Sequence, residues 1–314
     1  MTRRPPYREL ADGKAWDYFG RDDALGCAAL IEPEAVADAA RGVVSGDVFR
    51  LDLPLELPDP PLFGRRPFVR TAFHLTDIFL DDRVDNFYLQ VSTQWDGLGH
   101  AADPEHGWYG GRSADEVIQG DLGIEQLAAR GMAGRGVLAD VARHCTEAGE
   151  RFDPRASVVT PALLRDTLSS QNVSLSSGDV LLVRTGWVGW YLGLDESART
   201  ALAEKSVERG PDFTLPGLGP GPAIAELLWD AGVSMVAIDA PSMDPWPRGD
   251  HHQPEESAHV RLLARLGLYI GELFALDELA SACTADGRWT FLFVSAPLRL
   301  QGALGSPANA VAIR

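Results

Sequence analysis

Residues 90–100 read Gln90-Val91-Ser92-Thr93-Gln94-Trp95-Asp96-Gly97-Leu98-Gly99-His100, the densest run of chemically capable side chains in this 314-residue sequence. Side chains alternate faces along a strand, so Gln90, Ser92, Gln94 and Asp96 would share one face and Leu89, Val91, Thr93 and Trp95 the other. Gly97 and Gly99 would let the chain fold sharply and return His100 beside Asp96. A carboxylate next to an imidazole can ligate a metal and move a proton. Geometry sets a limit, because four residues of straight strand span about 13 Å. Gln90 and Gln94 can therefore reach one ion only if the strand bends or bulges. The competing reading is a solvent-facing edge strand ending in a capping Asp.

A second cluster lies downstream. Asp239 ends the apolar run VSMVAID, and the loop 241–254 carries Asp244, Trp246, Arg248, Asp250, His251 and His252. His259 follows early in a helical stretch, and Glu272 lies just past the short run LYI. Strand ends in α/β sheets are where ligands bind. Glu272 is flanked by Tyr269-Ile270-Gly271 and Leu273-Phe274, so it is expected to be at least half buried and to need a partner. Singly, His251, His252 and His259 read as ordinary surface histidines.

Both clusters need elements to position them. Helices are expected over 33–46, 161–168 behind Thr160, 222–231 closed by Gly232, 255–266 and 276–283, with shorter helical patterns at 123–130 and 136–148. Strands are expected over VFRLDLPLELP, leaving into a loop at the proline cluster 58–61, and over 87–95, 178–187, 233–239, 268–270 and 289–300. Helices alternating with apolar strands in the second half indicate an α/β architecture with a partly parallel sheet. Arg184, at a strand end, reads as a structural ion-pair partner. The stretch GALGSPANA (302–310) lacks a GxGxxG pattern and reads as a tight structural loop. With no repeat or linker, residues 1–45 form a lead-in segment and 46–314 a single domain.

Composition narrows the function. The formal net charge of −17, from 45 acids and 28 bases, disfavours nucleic-acid and anionic-membrane partners. Cys27, Cys145 and Cys283 are scattered and unpaired by spacing, which fits a reducing compartment. The charged start MTRRPPYREL has no apolar h-region, and no apolar run is long enough to span a bilayer. A cytoplasmic protein with a small-molecule substrate is the expectation.

The chain resembles the metal-dependent cyclase family, which includes bacterial kynurenine formamidases, isatin hydrolases and dienelactone-type hydrolases. The resemblance is carried by TQWDGLGH (93–100), the later His-to-Glu pair, ELFALDELA and APLRLQGALGSPANAVAI. The start DDALGCAALIEPEAVADAARGVVSGDVFRLDLPL is similar to the lead-in of the larger members, so the likeness runs from about 22 to 314. The family hallmark is H-x-G-T-H-x-D-x-x-x-H. Thr93, Asp96 and His100 keep that frame, whereas Gln90 and Gln94 stand where two metal-binding histidines would be. His259 and Glu272 match the later metal-binding His and acid. The resemblance implies a mixed, barrel-like β-sheet packed with helices (a swivelling β/β/α fold) and a dimeric or tetrameric homo-oligomer.

A ligand set of Gln90, Gln94, Asp96, His259 and Glu272 would be rich in oxygen. That shifts preference from zinc toward manganese, magnesium or calcium for the one divalent ion expected, with zinc still in range. His251 or His252 could replace a missing ligand, and one family metal position could be lost. His100 is the candidate general base, taking a proton from water and later giving it to a leaving group. Trp95, Trp108, Tyr109, Trp246 and His252 are candidate substrate-facing residues. The reaction expected is hydrolysis of a lactone, lactam, imide, formamide or simple ester. Alternatives are a biosynthetic cyclase or dehydratase, and a non-catalytic binder of small molecules.

Overall fold

A computed structural model describes residues 4–247 and 257–314. Its strands are β1 Val48–Arg50, β2 Val69–His74, β3 Leu80–Asp85, β4 Gln94–Asp96, β5 Met132–Asp140, β6 Val158–Val159, β7 Val180–Arg184, β8 Gly217–Leu218, β9 Met235–Ile238, β10 Tyr269–Glu272, β11 Thr290–Ser295, β12 Gly305–Pro307 and β13 Ala310–Ile313. Nine of them form one sheet in the order β1-β13-β11-β5-β7-β9-β10-β4-β12, curled as a half-barrel and packed with helices. Strands β5, β7, β9 and β10 run parallel, and the flanks on both sides are antiparallel. Central parallel strands are covered on both faces, which is why VLLV and MVAI are continuous apolar runs rather than alternating ones.

The helices start and stop for local reasons. In Pro161–Ser170, Thr160 accepts a bond from the Leu163 amide and proline occupies the first turn. Pro222–Ala231 closes on Gly232 at φ 78, where the left-handed backbone favours glycine. Arg184 bonds Asp140 and Asp277, a structural ion-pair role. Asp239 accepts from the Thr185 amide and hydroxyl and from the Gly186 amide, tying the ends of β7 and β9 together. Burial pushes its carboxyl up to about 6, against the pull of those bonds.

Several elements differ from the sequence expectation. The first half of 136–148 is strand β5, and the helix begins only at Val141. Gly136 lies under the Phe291 ring, where a Cβ would come within 2.1 Å, so glycine serves close packing inside a strand. Strand β11 ends at Ser295, and 302–310 contains β12 and the start of β13 instead of a plain loop. The early helix spans Pro33–Arg41 and closes at Gly42. Residues 87–93 are turns, leaving β4 only three residues.

The lead-in packs into the same core. Trp16 Nε1 donates to Ala264 O, and the Cys27 amide donates to Gly267 O, so this segment braces the helix that follows His259. The hairpin β2–β3 stands apart from the main sheet and is exposed along nearly its whole length. Among the described residues no helix is long and apolar enough to cross a membrane.

Candidate metal centre

Strands β4 and β10 pair antiparallel, with Gln94 opposite Glu272 and Trp95 opposite Gly271. Alternation therefore places Gln94, Asp96 and Glu272 on one face and Trp95 on the other. At Gly271 a Cβ would lie 2.6 Å from Phe274 and 2.9 Å from Trp95, so glycine makes room for the indole. On the polar face, Gln94 Nε2 donates to Glu272 Oε2 at 2.8 Å and to Asp96 Oδ1 at 3.4 Å.

The turns before β4 bring Gln90 back to the same carboxylate. Its Nε2 donates to Asp96 Oδ1 and to His100 Nδ1, the latter at 3.0 Å. Gly305 of β12 leaves room for this fold-back, since a Cβ there would meet Gln90 Cγ at 2.7 Å. The bend that a straight strand could not supply is thus built from turns. After β4, the His100 amide donates to Gly97 O, and Trp108 Nε1 donates to Gly99 O at 3.0 Å. That turn sets His100 Nε2 3.9 Å from Asp96 Oδ2. Neither Gly97 nor Gly99 has positive φ. At Gly99 the need is space, because a Cβ would sit 3.0 Å from both Leu304 and Val117.

His259 enters from the opposite side, just before helical turns of π-type over Val260–Leu266, a distortion frequent at functional sites. Asp244 Oδ2 accepts from His259 Nδ1 at 2.6 Å, and Asp244 Oδ1 accepts from the Ala258 amide. With Nδ1 donating to Asp244, His259 Nε2 faces inward, 3.5 Å from Asp96 Oδ2 and 3.3 Å from Glu272 Oε1. Glu272 Oε1 also accepts from the Met243 amide at 2.8 Å. Burial pulls the His259 pKa down, but Asp244, Asp96 and Glu272 outweigh it and hold the ring well above the ordinary histidine range. Burial likewise opposes charge on Asp96, yet His100, His259 and the Gln90 amide keep its carboxyl below the usual range.

At this site, among the described residues, two buried acceptors have no hydrogen-bond partner: Asp96 Oδ2 and Gln94 Oε1. An unsatisfied buried acceptor costs about 1–3 kcal/mol, and a charged one more. One ligand atom from each of Asp96, His100 and His259 lies within 4.8 Å of the others. Converging carboxylates, an inward imidazole nitrogen and an orphaned carboxylate oxygen fit a metal ion. Asp244 then plays the part of the carboxylate that orients a ligating histidine through its far nitrogen. Replacing Asp244 with Asn is expected to weaken metal affinity about 10- to 100-fold, measured by titrating metal into stripped protein. Unchanged affinity would dismiss that role.

Comparison with known proteins places the chain. The Cyclase family sequence model matches residues 50–245, more than half of it. The chain belongs to the Cyclase family. A crystal structure described as a novel cyclase is 31% identical, covers 96% of this chain and 99% of its own, and superposes with a TM-score of 0.82. Isatin hydrolase A from Labrenzia aggregata (19% identity, 89% and 97% coverage, TM-score 0.60) and from Ralstonia solanacearum (16%, 89% and 95%, 0.59) share the fold. No curated protein matches. As a member of that family this chain is an enzyme.

The cyclase places its sequence-predicted residues unevenly. Gln90, Gln94, Asp96, His100, His259 and Glu272 converge. Both glutamines turn amide nitrogens to the carboxylates, Gln90 donating to Asp96 and Gln94 to Glu272. A cavity of about 210 Å³ opens onto the site, and Trp246 lines it. Trp95 and Tyr109 do not line it: both are fully buried, Trp95 edge-on to Phe274 and Tyr109 bonded to Asp23. Trp108 braces the His100 turn and also stays out of the cavity lining. Arg248, Asp250, His251, His252 and the start of the 255–266 helix lie outside the described residues. Sequence reading missed the role of Asp244, although a carboxylate fifteen positions before a candidate ligand was the available signal. It also missed Arg65 and Arg209, which line the cavity and carry no spacing signal.

Proposed function

We propose that this cyclase hydrolyses a cyclic or simple amide or ester, such as a lactone, lactam, imide, formamide or simple ester, with one divalent ion held by Asp96 and His259. Support comes chiefly from one observation: the buried, unpartnered Asp96 Oδ2 faces the inward nitrogens of His259 and His100, two residues that line a cavity. When bound, such an ion supplies Lewis acidity toward a carbonyl oxygen and toward water. Glu272, 3.3 Å from His259 Nε2, completes an oxygen-rich set that suits manganese or magnesium, with imidazole keeping zinc in range.

The protein groups divide the remaining work. Asp244 holds His259 through Nδ1 and so keeps Nε2, the nitrogen that would ligate an ion on losing its proton, facing Asp96. Gln90 does the corresponding job for His100. An amide nitrogen only donates, so His100 Nδ1 accepts, and the neutral ring carries its proton on Nε2. Turning the Gln90 amide over would set its oxygen against Asp96 Oδ1. His100 therefore begins as a proton donor aimed toward the site, in place of the base expected from sequence. In hydrolysis the acyl carbon gains hydroxyl from water, the leaving nitrogen or oxygen takes the Nε2 proton, and the proton released by water restores His100.

The test is a panel of lactones, lactams, imides, formamides and esters offered to protein of measured metal content. The expected result is turnover of at least one class that disappears with a chelator and returns with Mn, Mg or Zn, at about one ion per chain. Metal-loaded protein that leaves every member intact would overturn the reading. Analysis of products from open-chain acids identifies ring closure, which uses the same groups in reverse.

A further inference from the structure

The cavity has two ends of opposite charge. Glu272, which accepts from Gln94, lines it at one end, and Arg65 and Arg209 line it at the other. Several arginines in the acid-rich chain are paired: Arg41, Arg70, Arg83, Arg155, Arg184 and Arg314 each contact a carboxylate. Among the described residues, Arg65 and Arg209 have neither a side-chain hydrogen bond nor an ion pair. They are held by aromatic faces instead. Arg65 lies 5.6 Å from the Phe63 ring centroid, and Arg209 lies 5.9 Å from Phe63 and 5.6 Å from Trp246.

The backbone supports this placement. Arg209 ends the helix Glu196–Glu208 in the left-handed region, φ 52, which a non-glycine residue adopts at a cost. Phe63 also has positive φ, 60, and its amide donates to the buried Ser206 hydroxyl. Two chain segments thus accept unfavourable backbone geometry and bring both guanidiniums to one aromatic-lined wall. Stacking occupies the faces of a guanidinium and leaves its in-plane N–H groups free. Those donors match a planar oxyanion, above all a carboxylate.

The geometry points to a carboxylate-binding subsite formed by Arg65 and Arg209, so that the substrate is an amide or ester that carries a free carboxylate away from the bond to be cleaved. This rests on the hydrolase reading for the reacting end, while the subsite itself is a matter of binding. A chain of net charge −17 repels anions at long range, and two unpaired cations at the cavity give such a substrate a local attraction.

The test uses calorimetry on the metal-loaded enzyme with two ligand series: aliphatic dicarboxylates from succinate to pimelate, and monocarboxylates of equal chain length. At least one dicarboxylate is expected to bind about 10- to 100-fold more tightly than its monocarboxylate partner. Arg65→Gln/Arg209→Gln should abolish that preference, and the double Lys variant should retain part of it. Arg209→Gln alone, at an exposed position, keeps the test valid if the double variant does not fold, and should still reduce the preference. The proposal is overturned if no dicarboxylate is preferred by the wild type, or if the preference survives in the Gln variants. A dicarboxylate preference in protein that cleaves no member of the substrate panel would retain the subsite and reject the hydrolase reading.

Discussion

Asp96→Ala is expected to empty the metal site and to lower turnover on the order of 10³-fold. Asp96 Oδ1 is held by Gln90 and Gln94, while Oδ2 has no partner and faces His259. Alanine removes the anionic anchor and leaves His259 Nε2 facing Glu272 alone. Lewis acidity at a reacting carbonyl contributes several kcal/mol, and each 1.36 kcal/mol is about tenfold in rate, which gives the stated magnitude. The metal-free variant should also be less stable than metal-free wild type, because alanine takes away the acceptor that Gln90, Gln94 and His259 share. Wild-type protein should melt higher when metal is added, because ligand bound only to the native state stabilises it. The variant should show no such rise. Elemental analysis, melting with and without metal, and steady-state rates check the three parts. Wild-type metal content in Asp96→Ala would remove Asp96 from the ligand set.

Much of the site was legible because its residues are close in sequence and obey strand periodicity. Gln94 and Asp96 share a face through the period of two, and the Gly-rich turn returns His100, both readable from TQWDGLGH. The apolar runs at 180–183 and 235–238 became adjacent parallel strands, since only buried strands read as continuous apolar sequence. Other features depended on contacts between distant segments. Gln90 reaches Asp96 only because residues 87–93 leave the strand and Gly305, more than 200 positions on, yields the space. Trp95 and Tyr109 looked like pocket walls because aromatic type says nothing about direction. Their burial follows from Gly271 and Asp23, which no local pattern connects to them. Strand β12 within 302–310 was hidden because a three-residue strand of Gly, Ser and Pro carries no hydrophobic period.

His100→Ala should separate proton transfer from metal binding. The variant is expected to fold and to keep its metal while losing about 10²- to 10⁴-fold in turnover. Retention of metal follows from the tautomer: Gln90 Nε2 donates to His100 Nδ1, so Nε2 holds the proton and offers no lone pair to an ion. Retention of fold follows from position, because His100 lies on a turn fixed by its own amide to Gly97 O and by Trp108 to Gly99 O, neither of which uses the imidazole. The side chain is about one-third exposed at 31%, so its loss leaves a solvated gap instead of an apolar cavity. The rate loss should be greatest for substrates with poor leaving groups, such as amides, where protonation of the departing nitrogen is needed for cleavage. Activated esters, whose alkoxides leave without help, should be spared in part. Comparing an amide with an activated ester of the same acyl group measures this directly. Equal losses on both would place His100 at the attacking water, and an unchanged rate on the amide would exclude it from the reaction.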